Sequence, residues 1–367
     1  MSTLLFLPLR RPMGEARSGF CMRLLLNVVI FLLLCVDGFA QLEAHNPWVQ
    51  GRRAPDDGLV PECKLKSKYD GFLGVAADPD GRAFFIAENC VYTVTDLGIV
   101  RIFGGKNTPY TPKRPRALLV DADDNITLLD DNGLTRLYPD GQKYTLLADA
   151  SKVSGLAADG NGNTFYTVSE NHQVYMLDWD GKRDLIAGNG KDGMTGDGRQ
   201  AREARLHEPT SLALDRDGNV YIVDGTLVRV VNGDGYISTL VGNIYGGLDT
   251  DGIPAGYAAS PIFAIAVDDD SNVYLGESEC IRVVDHSGYV RLFLGKGPYG
   301  ERDDNHLPAA IRVRQPVSIT IAGDLMYFVD AGPMMVRRIG SDGYVTTLAG
   351  NKGTYDPVQA SGERDPR

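Results

Sequence analysis

One pattern recurs six times along this 367-residue chain, and it limits the fold more than any other feature. Its clearest copy is Pro209-Thr-Ser-Leu-Ala-Leu-Asp215, Gly218-Asn-Val-Tyr-Ile-Val-Asp224, Val228-Arg-Val-Val231 and Tyr236-Ile-Ser-Thr-Leu-Val-Gly-Asn243. Each copy is four short β-type runs divided by Asp, Gly and Asn turns. Such residues tolerate the left-handed backbone that tight hairpins need. The first runs are small and branched, as in Val75-Ala-Ala-Asp78 and Ile265-Ala-Val-Asp268, which suits strands packed around a narrow axis. The second runs carry more aromatics, as in Phe84-Phe85-Ile86 and Met326-Tyr327-Phe328. The fourth runs end in glycine in five copies. One four-stranded unit cannot bury two faces alone, but six arranged radially cover one another. The repeat therefore predicts an all-β six-bladed propeller of four-stranded antiparallel blades over residues 70–351. A lead-in (41–69) and a polar tail (352–367) flank it. The sixth copy has Ala322-Gly-Asp324 where the others have a longer turn, so a tighter hairpin is expected there.

Charge narrows the partners. The chain has 48 acidic and 37 basic residues, a net charge of −11. Residues 1–40 carry four basic and two acidic residues, so the remainder stands at −13. A surface that tracks nucleic-acid phosphates needs clustered Lys and Arg, and this balance opposes it. Arg10, Arg11, Arg17 and Arg23 precede an apolar run from Leu24 to Val36, followed by Gly38-Phe39-Ala40. That run is shorter than the roughly 18 residues of a membrane span and reads as a secretory signal peptide cut after Ala40. Met22 is an alternative start, and a short signal anchor is the rival reading. A secreted, extracellular chain is expected, with no stable membrane span once the signal is removed.

Beyond the signal stand Cys63, Cys90 and Cys280. In an oxidising compartment the simplest arrangement is a Cys63–Cys90 disulfide and a lone Cys280 thiol. Asn125-Ile-Thr127 is a sequon at a hairpin turn and marks Asn125 for glycosylation. Gly51-Arg52-Arg53 resembles a dibasic processing site, but a solvated linker is the favoured reading.

The connectors add a more specific signal. Before the fourth unit stands Gly196-Asp-Gly198, then Ala201, Ala204, Leu206 and Pro209, leading into Leu212-Ala-Leu-Asp215. The pattern decays before the fifth unit (Asp251-Gly252-Ile-Pro-Ala255) and the sixth (Leu307-Pro308-Ala-Ala310), and units one to three lack it. This combination resembles the NHL-repeat family of six-bladed propellers. The resemblance implies a fold more than an activity, because NHL propellers include protein-binding and RNA-binding modules, extracellular domains and a few enzymes.

Chemistry is sparse. Gly188-Asn-Gly190-Lys-Asp-Gly193 has dinucleotide-binding spacing but opens no crossover helix. The Asp-x-Asp-Gly-Asn turns resemble the front of a calcium loop, yet the twelfth positions hold Thr226 and Asn132 rather than Glu. The five histidines show no metal-ligand spacing, and no nucleophile elbow is present. An acid recurs at the end of the second run: Glu88, Asp130, Asp224, Glu277 and Asp330, with Glu170 in unit three. In four units an Arg follows (Arg136, Arg229, Arg282, Arg337), so cross-strand ion pairs are expected. Units one and three break the pattern, which makes Glu88, Asn89, Asp130, Glu170, Asn171 and His172 the candidate ligand-binding set. The expected function is a non-catalytic scaffold binding a protein, peptide or glycan through the connectors, with no cofactor. The alternative is a pore-centred hydrolase, lactonase or lyase using Ca or Zn.

Overall fold

The structure is a computed structural model and describes residues 74–87, 89–95, 98–104, 108–242, 251–258, 260–298 and 304–350. The signal segment, the lead-in, Cys63, Glu88 and the tail lie outside the described residues. No helix among the described residues is long and apolar enough to cross a membrane.

Six separate antiparallel sheets follow one another along the chain, each built from consecutive strands. Blade 1 comprises Val75–Ala77, Ala83–Ala87, Cys90–Thr95 and Gly98–Phe103. Blade 2 comprises Ala117–Val120, Ile126–Asp130, Gly133–Leu137 and Lys143–Leu147, and blade 3 Gly155–Ala158, Thr164–Val168, Gln173–Leu177 and Arg183–Ala187. Blade 4 comprises Pro209–Leu214, Val220–Asp224, Leu227–Val231 and Tyr236–Val241. Blade 5 comprises Ala264–Val267, Val273–Gly276, Cys280–Val284 and Tyr289–Gly295, and blade 6 Pro316–Ala322, Leu325–Asp330, Met335–Ile339 and Val345–Gly350. The first strands stand side by side around an axis, and the sixth meets the first. This is the six-bladed propeller that the repeat predicts. The short turn of blade 6 is also present, with Ala322 opposite Leu325 across Gly323-Asp324.

The second strands are buried along their whole length in blades 1 to 4, because each is covered on both faces by neighbouring blades. Apolar clusters accordingly run between blades rather than within them. Val75, Phe85 and Tyr92 of blade 1 pack with Tyr327, Val329 and Val336 of blade 6. The same seam is hydrogen-bonded: the Val75 N–H donates to Ser318 Oγ at 3.2 Å, and the Tyr327 hydroxyl donates to the Gly81 carbonyl at 2.6 Å. Ring closure therefore rests on packing across a seam. All four described strands of blade 1 come from the N-terminal side, with none borrowed from the C-terminus.

Two local devices recur from blade to blade. In the turn after the first strand, Asp121, Asp159, Asp215 and Asp268 each accept two backbone N–H groups through Oδ1, and Oδ2 accepts from the side chain of Asn125, Asn163, Asn219 or Asn272 at 2.7–2.9 Å. The carboxylates that resemble calcium ligands are thus consumed by the hairpin itself. The sequon residue Asn125 is one of these locks and is half-buried. The second device is the glycine closing the fourth strand. Gly188 has φ +89, and a Cβ there would lie 2.1 Å from the His172 carbonyl oxygen. Blade 2 inverts the device: Ala148 takes the strand-end position, and the residue facing it is Gly133, whose Cβ would meet the Leu147 carbonyl at 2.4 Å. Cys90 and Cys280 occupy that facing position in blades 1 and 5, opposite Gly104 and Gly295.

Candidate functional site

The face bearing the long connectors holds the most elaborate polar chemistry. Asp224 is fully buried and accepts the backbone N–H groups of His207 (2.6 Å) and Glu208 (3.0 Å), the two residues preceding blade 4. Asp330 does the same for Arg314 (2.8 Å), and Asp130 for Lys113 (3.0 Å). In blades 2, 4 and 6 the repeated acid is therefore an anchor for the chain entering the blade. Burial pushes the Asp224 carboxyl up, and the two N–H donors and Arg229 pull it back toward the ionised form.

Arg229 lies within ion-pair distance of Asp224 (3.7 Å) and donates to Asp197 of the connector (2.5 Å). Asp197 also accepts the Thr239 N–H at 3.1 Å. The Gly-Asp-Gly motif thus loops back along the outermost strand, where Arg199–Gln200 adds a short fifth strand to blade 4. Ile253–Pro254 repeats this in blade 5, where Asp251 accepts the Leu292 N–H, and Arg282 pairs with Glu277 at 3.3 Å. In blade 6, Asp304 meets Arg337 (3.5 Å) and accepts from the Thr347 hydroxyl (2.7 Å).

The register corrects two expectations about this set. Arg136 faces Thr127, whereas Arg229 faces Ile222, Arg282 faces Leu275 and Arg337 faces Phe328. Arg136 is thus one residue out of step. It points to the other side of blade 2, donates to the Gly162 carbonyl of blade 3 (2.7 Å) and is not a partner of Asp130. Its place is taken by Thr135, which faces Leu128. In blades 1 and 3 the acid position is not Glu88 or Glu170 but Ala87 and Val168, and the arginine position holds Tyr92 and Tyr175. These tyrosines stack on Phe85 and Tyr166 at 5.4 Å, so where the acid gives way to Ala or Val the arginine gives way to a stacked tyrosine. Arg136 stands six residues after Asp130, whereas Arg229 and Arg282 stand five after their acids; the fourth-strand bulge, present in every blade, marks the frame.

The candidate residues fall on three blades. Asn89 is exposed with φ 60. Asp130 is buried and saturated by the Tyr110 hydroxyl, the Lys113 N–H, and the backbone and side chain of Asn132. Glu170, Asn171 and His172 share one turn of blade 3. There Glu170 pairs with Lys152 at 2.9 Å, Asn171 is exposed, and the His172 ring bonds the His207 carbonyl. No hydrogen bond or ion pair among the described residues joins one blade's set to the next.

Sequence reading missed the arrangement around His207. Its ring nitrogen lies 2.6 Å from Asp192 of the same connector, and this bond holds the imidazole above its ordinary 6.5 and Asp192 below the usual carboxylate range. His207 borders a cavity of about 490 Å³ between blades 4 and 5, with Met194, Glu208, Thr226, Pro261 and Phe263. Connector residues distant in sequence converge here, and no local spacing signals that.

The axial channel encloses about 360 Å³. Ser154, Thr210, Ser211, Ser318 and Thr320 line it, and Arg116 is the one charged residue of its wall among the described residues. Arg116 is itself engaged, donating to the Ala150 (2.8 Å) and Val153 (3.1 Å) carbonyls. Among the described residues no group of three or more His, Cys, Asp or Glu is placed to hold a metal.

Comparison with known proteins agrees with the repeat. The family described as "Teneurin NHL domain" matches residues 110–250. Teneurin-1 of Homo sapiens is 24% identical over 278 residues, 64% of this chain and 10% of that protein. Teneurin-m of Drosophila melanogaster is 26% identical over 292 residues, 67% of this chain and 10% of that protein. The chain therefore spans about a tenth of the length of these relatives. Among solved structures, an auxiliary nutrient binding protein from Bacteroides thetaiotaomicron superposes with a TM-score of 0.56 at 13% identity, covering 76% of this chain and 69% of that one. Blade geometry makes this chain a six-bladed β-propeller, and over residues 110–250 it is similar to the Teneurin NHL domain.

Proposed function

We propose that this propeller is a secreted, non-catalytic scaffold that binds a protein or peptide partner through its connector face. The cavity between blades 4 and 5 carries the reading. It joins apolar surface from Met194, Pro261 and Phe263 to polar groups from His207, Glu208 and Thr226, the mixture that peptide-binding notches use. Its walls are held rigid by the Asp224 anchor, and loops on a rigid scaffold are favourable places for recognition. A pore-centred hydrolase, lactonase or lyase would need carboxylates or imidazoles around the axis, and the channel presents hydroxyl and aliphatic groups instead. Secretion is supported by the signal-like residues 1–40.

The test is a binding screen of wild-type protein and a Met194→Asp/Phe263→Asp variant against a panel of extracellular proteins and peptides. Partners bound by the wild type and lost by the variant, with the melting transition retained, are the expected result. Equal capture by both proteins refutes this face. Hydrolysis of a lactone or ester panel that disappears with EDTA refutes the non-catalytic reading.

A further inference from the structure

Blades 4, 5 and 6 share a small carboxylate site that no described residue fills in blade 2. In blade 4, Asp197 from the connector lies against the outermost strand, accepting the outward N–H of Thr239 and pairing with Arg229. Asp251 takes the outward N–H of Leu292 in blade 5, and Asp304 bonds Thr347 and Arg337 in blade 6. By register Thr145 is the blade 2 counterpart of Thr239, Leu292 and Thr347, since each faces the third-strand residue after the bulge. The outermost strand Lys143–Leu147 has no fifth strand beyond it among the described residues. Its outward N–H and C=O groups form an open sheet edge.

The space beside that edge differs from the other open blades. In blades 1 and 3 it is occupied by the stacked Tyr92 and Tyr175, with Arg101 and Arg183 over the rings. In blade 2 the third-strand residue is the small Thr135, and a cavity of about 480 Å³ remains. Tyr110, Lys113, Asn132, Thr135, Lys143 and Thr145 line it. The Tyr110 hydroxyl takes over the arginine's duty toward the buried acid, donating to Asp130 while Asn132 donates to it. The Lys143 ammonium lies 5.9 Å from the Tyr110 ring centroid, so positive charge stands where the other blades hold the connector aspartate.

We infer that the outer edge of blade 2 is a docking site for an aspartate-bearing extended segment of a partner protein. The segment would add as a fifth strand beside Lys143–Leu147 and place its carboxylate between the Thr145 N–H and the Lys143 and Lys113 ammonium groups. The occupant's chemistry follows from the chain's own solution in blades 4 to 6, where a connector Asp fills the equivalent place, flanked by glycines in blade 4. Main-chain pairing to an open edge supplies affinity, and the side-chain pocket supplies selectivity. The site is separate from the cavity between blades 4 and 5, so variants in that cavity leave it intact.

A fluorescent peptide copying Thr195–Ala201 (Thr-Gly-Asp-Gly-Arg-Gln-Ala) is the probe, titrated against the full chain by anisotropy up to about 1 mM, where binding of marginal affinity still registers. Saturable binding is expected, weakened about tenfold or more when the peptide Asp is replaced by Asn. The same loss is expected in Lys143→Glu, an exposed position, and in Thr145→Pro, which removes the outward donor while the strand-edge position tolerates proline. Met194→Asp is expected to bind the peptide as the wild type does. Absence of binding, equal affinity for the Asp and Asn peptides, displacement by inorganic phosphate at equal concentration, or unchanged binding by Lys143→Glu overturns the inference.

Discussion

His207 is the residue whose protonation the fold changes most informatively. Asp192 raises the imidazole and the imidazole lowers Asp192, so the two charges stabilise each other. A raised His contributes stability that is fully present below its unfolded value of 6.5 and fades as pH rises through the folded one. A lowered Asp contributes stability that is present above its unfolded 3.8 and fades as pH falls through the folded one. The pair is therefore strongest between about pH 4 and 6.5. An NMR titration is expected to place His207 above 6.5, and Asp192→Asn to return it toward that value. No downward movement in the variant would show that the bond is not formed in solution. The imidazole also edges the cavity proposed for partner binding, so that binding is expected to weaken above neutral pH. Neither residue stands out in the sequence: they are fifteen positions apart on one connector and meet only because the connector doubles back.

At the scale of an element, the strand hairpins show how buried charge is handled. Arg229 and Asp224 are both fully buried, and removing the arginine leaves Asp224 without its counter-charge. Arg229→Leu is expected to cost about 3–5 kcal/mol in urea unfolding. Blade 3 suggests the remedy, since Val168 and Tyr175 fill the same two places with apolar and aromatic groups. The double variant Asp224→Val/Arg229→Tyr is therefore expected to be more stable than Arg229→Leu alone, because it removes both buried charges together. It still forfeits the anchor for the His207 and Glu208 N–H groups, so full recovery is not expected. A double variant less stable than the single one would refute the equivalence of the two pairs. The strands, their turns and the Asp–Asn locks were legible as residues because each device lies within five positions of chain. The acid–arginine frame was only half legible. Arg136 lies six residues after its acid where Arg229 lies five, and a shift of one places a side chain on the opposite face of a strand.

The whole molecule depends on a ring that the chain must close between its first and last blades. Val75, Phe85 and Tyr92 share one apolar cluster with Tyr327, Val329 and Val336, while the described strands show no exchange between the two blades. Val329→Ala, at a fully buried seam position, is expected to lower stability by about 1–3 kcal/mol. A chain lacking residues 304–350 is expected to lose the single cooperative transition, because blade 1 then exposes that cluster. Unchanged calorimetric unfolding of the truncated chain would show that closure contributes nothing. Six repeats of β-type runs and turn residues determined the propeller, its blade count and the blade boundaries, because strand period and turn chemistry are local properties of the chain. Only the tertiary structure decided which acids are anchors, that Arg136 faces away, that His207 meets Asp192, and that no described strand covers the outer edge of blade 2. Those outcomes depend on register and on connectors folding back over distant strands, and long-range geometry of that kind leaves no trace in spacing.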